Sequence, residues 1–151
     1  MIQIDLSTLI NRLNPVTRQA MENAAARCVH EQQSEITVSL FLLQLLDVSL
    51  SDVPLICEKS KIHIDKFITQ LSYFTPPHQL ISQESPSFSP LLVEWLKDSW
   101  LLASAEMQHS QLRSGVMLLT LLQTPYRYLS RPAAELLTPI NREQFKLSFN
   151  N

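Results

Sequence analysis

Hydrophobic residues recur at helical spacing along almost the whole chain. Near the N-terminus, Leu6, Leu9, Ile10 and Leu13 stand at positions i, i+3, i+4 and i+7. This spacing places the four side chains on one side of a short helix. Asp5 precedes the stripe as a suitable N-cap, because its carboxylate can accept from a free backbone N–H group. The pattern predicts an all-α fold that begins with this helix, at about residues 5–13.

Capping residues and prolines divide the rest of the chain into further helices. Asn14 and Pro15 fit a helix start, with Asn14 as the cap and Pro15 at the first helical position. An alanine-rich helix follows to about Gln32. Thr37 is placed to cap a very apolar helix that ends near Asp47. Later helix starts are predicted at Ser51-Asp52, at Asp65 (ending near Tyr73) and at Leu91.

A proline-rich segment separates two helical halves. Pro76, Pro77, Pro86 and Pro90 stand among serine, glutamine and histidine residues. Proline lacks a backbone N–H and clashes within a helix, so a connector is predicted at 74–89.

The two halves match when the sequence is shifted by 76 positions without a gap. Gln32 then falls on Gln108, and the pattern of apolar residues continues in register. The leucines that coincide are Leu42, Leu43, Leu45 and Leu46 with Leu118, Leu119, Leu121 and Leu122. We interpret this as an internal duplication. The predicted architecture is a pseudo-twofold tandem repeat of two four-helix units in a single domain, 1–151, with repeat one at about 14–73, repeat two at about 90–149 and one extra N-terminal helix.

Composition narrows the classes of function. Of 151 residues, 45% are hydrophobic and 17% are charged, which is typical of a folded domain. No apolar run reaches the roughly 18 residues of a membrane span. The N-terminus lacks the pattern of a signal peptide, so a cytoplasmic location is expected. The net charge is −2 and no cluster of basic residues occurs, which argues against nucleic-acid binding.

Motifs for catalysis or metal binding are absent from the sequence. Gly115 is the single glycine, whereas loops that cradle nucleotide phosphates need several. Cys28 and Cys57 lie in apolar helical patterns and are expected to be small buried residues. The four histidines show neither paired ligand spacing nor a nucleophile motif, so no metal is expected. A small helical enzyme remains an alternative, to be tested by the search for a polar pocket.

The helix after Pro15 offers a candidate binding surface. Its face through Met21, Ala25 and Cys28 is expected to pack within the bundle. The neighbouring mixed face is a candidate groove wall, with the short first helix as the opposite wall. Phe88, in the connector, either fills the core or borders a site. The candidate partner-binding residues on this mixed face are Val16, Ala20, Asn23 and Arg27, and Phe88 is a further candidate.

The repeat with the sequence from Ile36 to Leu46 resembles the Clp N-terminal domain family. The extra first helix and the segments 88–96, 101–107 and 112–116 resemble the ClpV branch in particular. This resemblance implies a module that docks the N-terminal helix of the larger type VI secretion sheath subunit for sheath disassembly and recycling. In that branch the groove lies between the extra first helix and the next one, which here would be Leu6, Leu9 and Leu13 facing Val16, Ala20, Asn23, Ala24 and Arg27.

The resemblance also sets expectations for the rest of such a protein. ATPase modules, with their ATP and Mg²⁺, would lie outside this chain, so no cofactor is expected within it. The intact protein would be a homo-hexamer and the isolated domain a monomer. The alternative function is that of a general Clp disaggregase or protease unfoldase, whose N-domain binds adaptors or unfolded clients.

Overall fold

The computed structural model describes residues 5–72 and 86–149, and most of them are helical. Repeat one and the helix before it contain α1 (Leu6–Arg12), α2 (Pro15–His30), α3 (Val38–Asp47), α4 (Asp52–Lys59) and α5 (Ile64–Ser72). Repeat two contains α6 (Pro90–Leu101), a π-helical turn (Leu102–Glu106), α7 (Ser114–Gln123), α8 (Pro125–Tyr128), α9 (Arg131–Leu136) and α10 (Arg142–Phe149). The predicted all-α class is confirmed.

Side-chain caps begin the helices where the sequence predicts them. The side chain of Asn14 accepts from Thr17 N at the start of α2, where Pro15 is the first helical residue. Thr37 accepts from Leu40 N in the same way at the start of α3. These caps satisfy N–H groups that have no partner within the helix. Tyr73, the predicted end of α5, lies outside the described residues.

Two short strands, which the helical pattern does not indicate, link the repeats. β1 (Glu35–Ile36) pairs in parallel with β2 (Ser87–Phe88), so that Ile36 stands beside Phe88. A similar parallel bridge joins Leu13 to Leu112. The β1–β2 pair joins the segment before α3 to the segment before α6. The bridge joins the segment before α2 to the segment before α7. Two-residue strands are too short to produce a detectable alternation in the sequence.

The element bounds recur at the offset found in the sequence. α3 and α7 start and end 76 residues apart. Gln32 and Gln108, at the same offset, both have φ 56°, a left-handed conformation that is uncommon for residues other than glycine. This correspondence supports the interpretation as an internal duplication. The two repeats differ where repeat two has two short helices, α8 and α9, and repeat one has the single helix α4.

The core lies around α3, α6 and α7. The eight residues of α7 from Ser114 to Leu121 are all buried. Trp95 of α6 is fully buried, and its indole N–H donates to Met117 O at 2.8 Å. Phe41 of α3 meets the Trp95 ring edge-on, with 5.8 Å between the ring centroids. A buried indole that finds a hydrogen-bond partner avoids the cost of an unsatisfied donor, so this contact fixes α6 on α7.

A polar junction joins α4 to the start of α7. Arg113 donates two hydrogen bonds of 2.8 Å to the carboxylate of Asp52, and Gly115 N donates to the same carboxylate at 3.0 Å. The hydrogen bond from Arg113 to Asp52 raises the pKa of Arg113. Beside them, the hydroxyls of Ser51 and Ser114 lie 3.2 Å apart and are buried. This Asp52–Arg113 junction therefore caps α7 and ties the two repeats together.

No single helix among the described residues has both the length and the hydrophobicity to cross a membrane. Only α3 and α4 taken together meet that criterion, by length and composition, and they are bent by 80°.

Candidate functional site

The extra helix α1 is anchored to repeat two. Leu9 is fully buried, while Leu6 and Ile10 are partly buried against the core. α1 packs against α6. After its end, Asn14 N donates to Leu112 O at 2.9 Å, and Leu112 N donates to Arg12 O at 2.6 Å. These backbone bonds fix the chain between α1 and α2 beside the segment that leads into α7.

The predicted groove residues divide into buried and accessible groups. Leu9, Leu13, Ala20 and Ala24 expose 2% of their surface or less, so in this structure they fill the core. The accessible members of the predicted set are Leu6, Val16 and Asn23, which are partly exposed, and Arg27, which is exposed. A partner would therefore meet the accessible residues, while the buried ones support them from below.

A hydrogen bond identifies the flank of α2 that borders α1. Arg18 of α2 donates to the side-chain oxygen of Asn11 of α1 at 3.0 Å. At roughly 100° per residue, Val16 lies about 160° around the helix from Arg18. The predicted wall through Val16 thus stands on the opposite flank of α2 from the one bonded to α1. The α1 side carries Arg18, followed at helical spacing by Ala25, which is partly exposed, and Val29, which is 55% exposed.

Two exposed arginines stand at this junction. The Arg12 guanidinium lies 5.3 Å from the centroid of the Trp100 ring, a cation–π arrangement, and donates to Ser110 O at 3.5 Å. Arg18 is held by Asn11. We call this region, formed by Asn11, Arg12 and Arg18, the α1–α2 corner. Neither arginine is among the residues predicted from the sequence. A signal for Arg12 was present, since no acidic residue stands three or four positions from it.

The remaining predicted residues, Arg27 and Phe88, have contacts of their own. Phe88, in β2, is partly buried and packs against the core beside Ile36. Whether it also borders a binding site stays a prediction. Arg27 pairs with Glu31 at 3.0 Å, one turn further along α2. It lines a polar pocket of about 310 Å³ with Gln33, Thr37 and Leu40.

A larger cleft opens next to that pocket, beside the two strands. Its volume is about 650 Å³. We call it the strand-side cleft, and it is lined by Glu35, Thr37, Val38, Ser39, Gln70, Leu71, Ser89, Pro90, Leu91, Arg127, Tyr128, Leu129, Ser130, Pro132 and Ala133. Tyr128 donates to Asp98 at 3.0 Å, and burial together with this bond raises its pKa to about 12. Arg127 is already paired with Glu94 at 2.6 Å. Arg127 and Tyr128 are therefore both engaged by carboxylates of α6.

The two cysteines of the described chain are buried and have raised pKa values. Cys57 is fully buried, and desolvation raises the pKa of its thiol to about 11. Burial also raises the pKa of Cys28, which donates to Gln33 O at 3.3 Å. Raised pKa values keep both thiols protonated and weakly nucleophilic. Within residues 5–72 and 86–149, no three His, Cys, Asp or Glu side chains cluster as metal ligands.

The histidines of the described chain have surface or terminal positions. His30 and His63 are exposed, and His109 lies 3.0 Å from Phe149 O through its Nε2 atom. His78 lies outside the described residues. A histidine beside the last carbonyls of a helix suits that site electrostatically, so these positions indicate structural roles.

No family model and no curated protein sequence matches the chain. Solved structures do match. One is a complex of a ClpV N-domain with VipB peptide, which has 39% sequence identity and a TM-score of 0.89 over 99% of this chain and 91% of that one. The N-domain of ClpV from Vibrio cholerae has 39% identity and a TM-score of 0.88, over 99% and 89%.

A more distant structure has the same fold. The N-terminal domain (1–163) of the ClpV1 ATPase from the E. coli EAEC Sci1 T6SS has 25% identity and a TM-score of 0.82, over 93% of this chain and 85% of that one. The match at 39% identity extends over nearly the whole of both chains, from α1 to α10. By these likenesses, the chain belongs to the family of ClpV N-terminal domains.

Proposed function

We propose that this domain docks a helix from the N-terminal region of the larger sheath subunit of a type VI secretion system, as a step in sheath disassembly and recycling. The observation that carries the proposal is the 39% identity, across 99% of this chain, to a ClpV N-domain in complex with VipB peptide. The presence of α1, anchored on α6 and on Leu112, supplies the helix that the proposed groove requires.

The docking surface that we propose is the outer edge of α1 together with the adjoining flank of α2. Leu6 and Ile10 leave part of their apolar surface accessible on α1, and Ala25 and Val29 do so on α2. An amphipathic helix would bury these residues and leave its polar side in water. A single helix docked on one domain is expected to bind with modest affinity. Several copies of the domain in a ring would raise the overall affinity through effective concentration.

We further propose that this domain binds without catalysing a reaction and needs neither ATP nor Mg²⁺ to do so. Its likeness is to isolated N-domains of ClpV. The protonated, buried thiols, and the pairing of Arg127 and Tyr128 with carboxylates of α6, are also unlike an active site. ATP hydrolysis would belong to other modules of the protein, acting in the cytoplasm.

The proposal is tested by calorimetric titration of the domain with the segment of its cognate sheath subunit that corresponds to the VipB peptide, called the sheath peptide below. Leu6→Asp should weaken binding by at least about tenfold, because it puts a charge on the apolar edge. The matched control is Leu55→Asp on α4, where Leu55 is 49% exposed, and it should bind as the wild type does. Circular dichroism melting verifies that both variants are folded.

Saturable binding that is lost in Leu6→Asp and kept in Leu55→Asp supports sheath docking at α1. A folded wild-type domain that does not bind the sheath peptide would contradict the proposal. It would favour instead the N-domain of a general Clp unfoldase that recognises adaptors or unfolded chains.

A further inference from the structure

The described arginines fall into two groups according to their partners. Five of the seven pair with a carboxylate, namely Arg27, Arg113, Arg127, Arg131 and Arg142. Arg12 and Arg18 have no carboxylate oxygen within 4.0 Å among the described residues. Both unpaired guanidinium groups are exposed and both stand at the α1–α2 corner. The two arginines without a described carboxylate partner therefore both stand beside the proposed docking surface.

Neutral groups hold the two guanidinium groups in place. Asn11 accepts from Arg18, and the Trp100 ring and Ser110 O hold Arg12. Because Asn11 and Arg12 are neighbours in the last turn of α1, the two arginines flank the same helix end. These contacts orient the guanidinium groups without neutralising them, so most of their charged donors stay available to a ligand.

The nearest acidic side chains do not neutralise the corner. Glu22 stands four residues after Arg18 on α2, yet no ion pair forms between them within 4.0 Å. Arginine before glutamate is also the weaker order for such a pair. Asp5 is occupied at the other end of α1, where it accepts from Ser7 and from Thr8 N. An incoming carboxylate would therefore not have to displace an ion pair within the described chain at either arginine.

We propose that the helix docked at the α1–α2 corner carries acidic side chains that pair with Arg12 and Arg18. This inference rests on the proposed function and specifies the chemistry of the partner. Exposed guanidinium groups bind carboxylates through paired N–H donors, which adds geometric selectivity to the apolar contact. Ala25 and Val29 lie about two and three turns beyond Arg18 on the same flank of α2, with Glu22 between Arg18 and Ala25. We therefore place the acidic end of the partner helix at the corner and its apolar side further along α2. A nucleic acid is disfavoured, since two arginines on a chain of net charge −2 do not make a basic stripe.

The experiment is a double-mutant cycle between domain and peptide. On the domain, Arg12→Gln/Arg18→Gln removes both charges and keeps polar side chains. Its matched control, Arg131→Gln/Lys66→Gln, removes two exposed positive charges on α9 and α5. On the peptide, every aspartate and glutamate is replaced by its amide. Titrations are run at two salt concentrations. At about 0.05 M salt the attraction between exposed charges persists, and at about 0.5 M salt it is largely screened.

We expect the double variant to bind the native sheath peptide about tenfold more weakly at low salt, or about threefold for each exposed pair. The control should change affinity by less than about twofold. The amide peptide should bind the wild-type domain about as weakly as the native peptide binds the double variant. Combining the amide peptide with the double variant should weaken binding no further. High salt should reduce the difference to within about twofold.

Two results would overturn the inference. One is a double variant that binds the native peptide as tightly as the wild type does, and the other is tight binding of the amide peptide to the wild type. If Leu6→Asp still abolishes binding in either case, the acid pairing is wrong and the docking site stands. If Leu6→Asp also binds normally, the proposed site itself is wrong.

Discussion

The arginine side chains have different kinds of partner in two regions of the molecule. At the Asp52–Arg113 junction, both groups of an arginine fork meet one carboxylate, and Asp52 is only 14% exposed. At the α1–α2 corner, Arg12 and Arg18 are exposed and held by neutral groups. In the first arrangement the arginine charge is balanced by an ion pair within the chain, and that pair joins the two repeats. The second leaves its charge available, which suits recognition of a partner more than stability.

The largest effect is expected from removing the carboxylate at the junction. Asp52→Ala deprives Arg113 and the N-terminus of α7 of their shared acceptor. We expect the free energy of unfolding to fall by about 2 kcal/mol, from a lost cap and a partly buried ion pair. Urea denaturation measures the change. A loss below about 0.5 kcal/mol would show that the junction contributes no more than an ordinary surface pair.

A smaller effect is expected at Gly115, behind the same junction. A Cβ atom there would lie 2.4 Å from Cζ of Phe149 and 3.0 Å from Cβ of Asp52. Gly115→Ala should therefore displace Phe149, whose ring lies 4.5 Å from the Arg113 guanidinium, and cost about 1 kcal/mol.

Phe149→Ala supplies the control for Gly115→Ala, since it removes the blocking ring. In that background Gly115→Ala should cost less than it does in the wild type, because only the 3.0 Å approach to Cβ of Asp52 then remains. An equal loss of stability in both backgrounds would mean that Phe149 is not the obstacle.

The smallest effect on stability is expected at the α1–α2 corner. Arg18→Gln removes a charge that has no ionic partner, so the free energy of unfolding should change by less than about 0.5 kcal/mol. The same denaturation experiment gives this value beside that of Asp52→Ala. If Arg18→Gln were instead as damaging as Asp52→Ala, the corner would be a structural element and its proposed availability to a partner would be mistaken.

Local signals in the sequence predict the helices well. Asn14, Thr37 and Ser51 cap the helices that follow them, because a capping side chain needs only a backbone N–H two or three residues away. The burial of Cys28 and Cys57 also follows from local periodicity. The fold class, the helix starts and the resemblance to the family are therefore accessible from sequence alone.

The details of the site depend on contacts between distant residues. Arg12 meets Trp100, and Arg113 meets Asp52, across separations that no helical period encodes. The flank of α2 that faces α1 is fixed by the bond between Arg18 and Asn11. The sequence suggested the flank through Val16, because amphipathic pattern identifies a mixed face without saying what packs beside it. Whether Val16 also touches a partner stays a prediction.

The account depends most on the location of the docked helix. Titrating the ¹⁵N-labelled domain with the sheath peptide, while recording amide NMR shifts, locates it residue by residue. We predict that the largest shifts fall in α1 and along α2 from Arg18 to Val29. Largest shifts around Thr37, Ser89 and Tyr128 of the strand-side cleft, with α1 unaffected, would contradict the account.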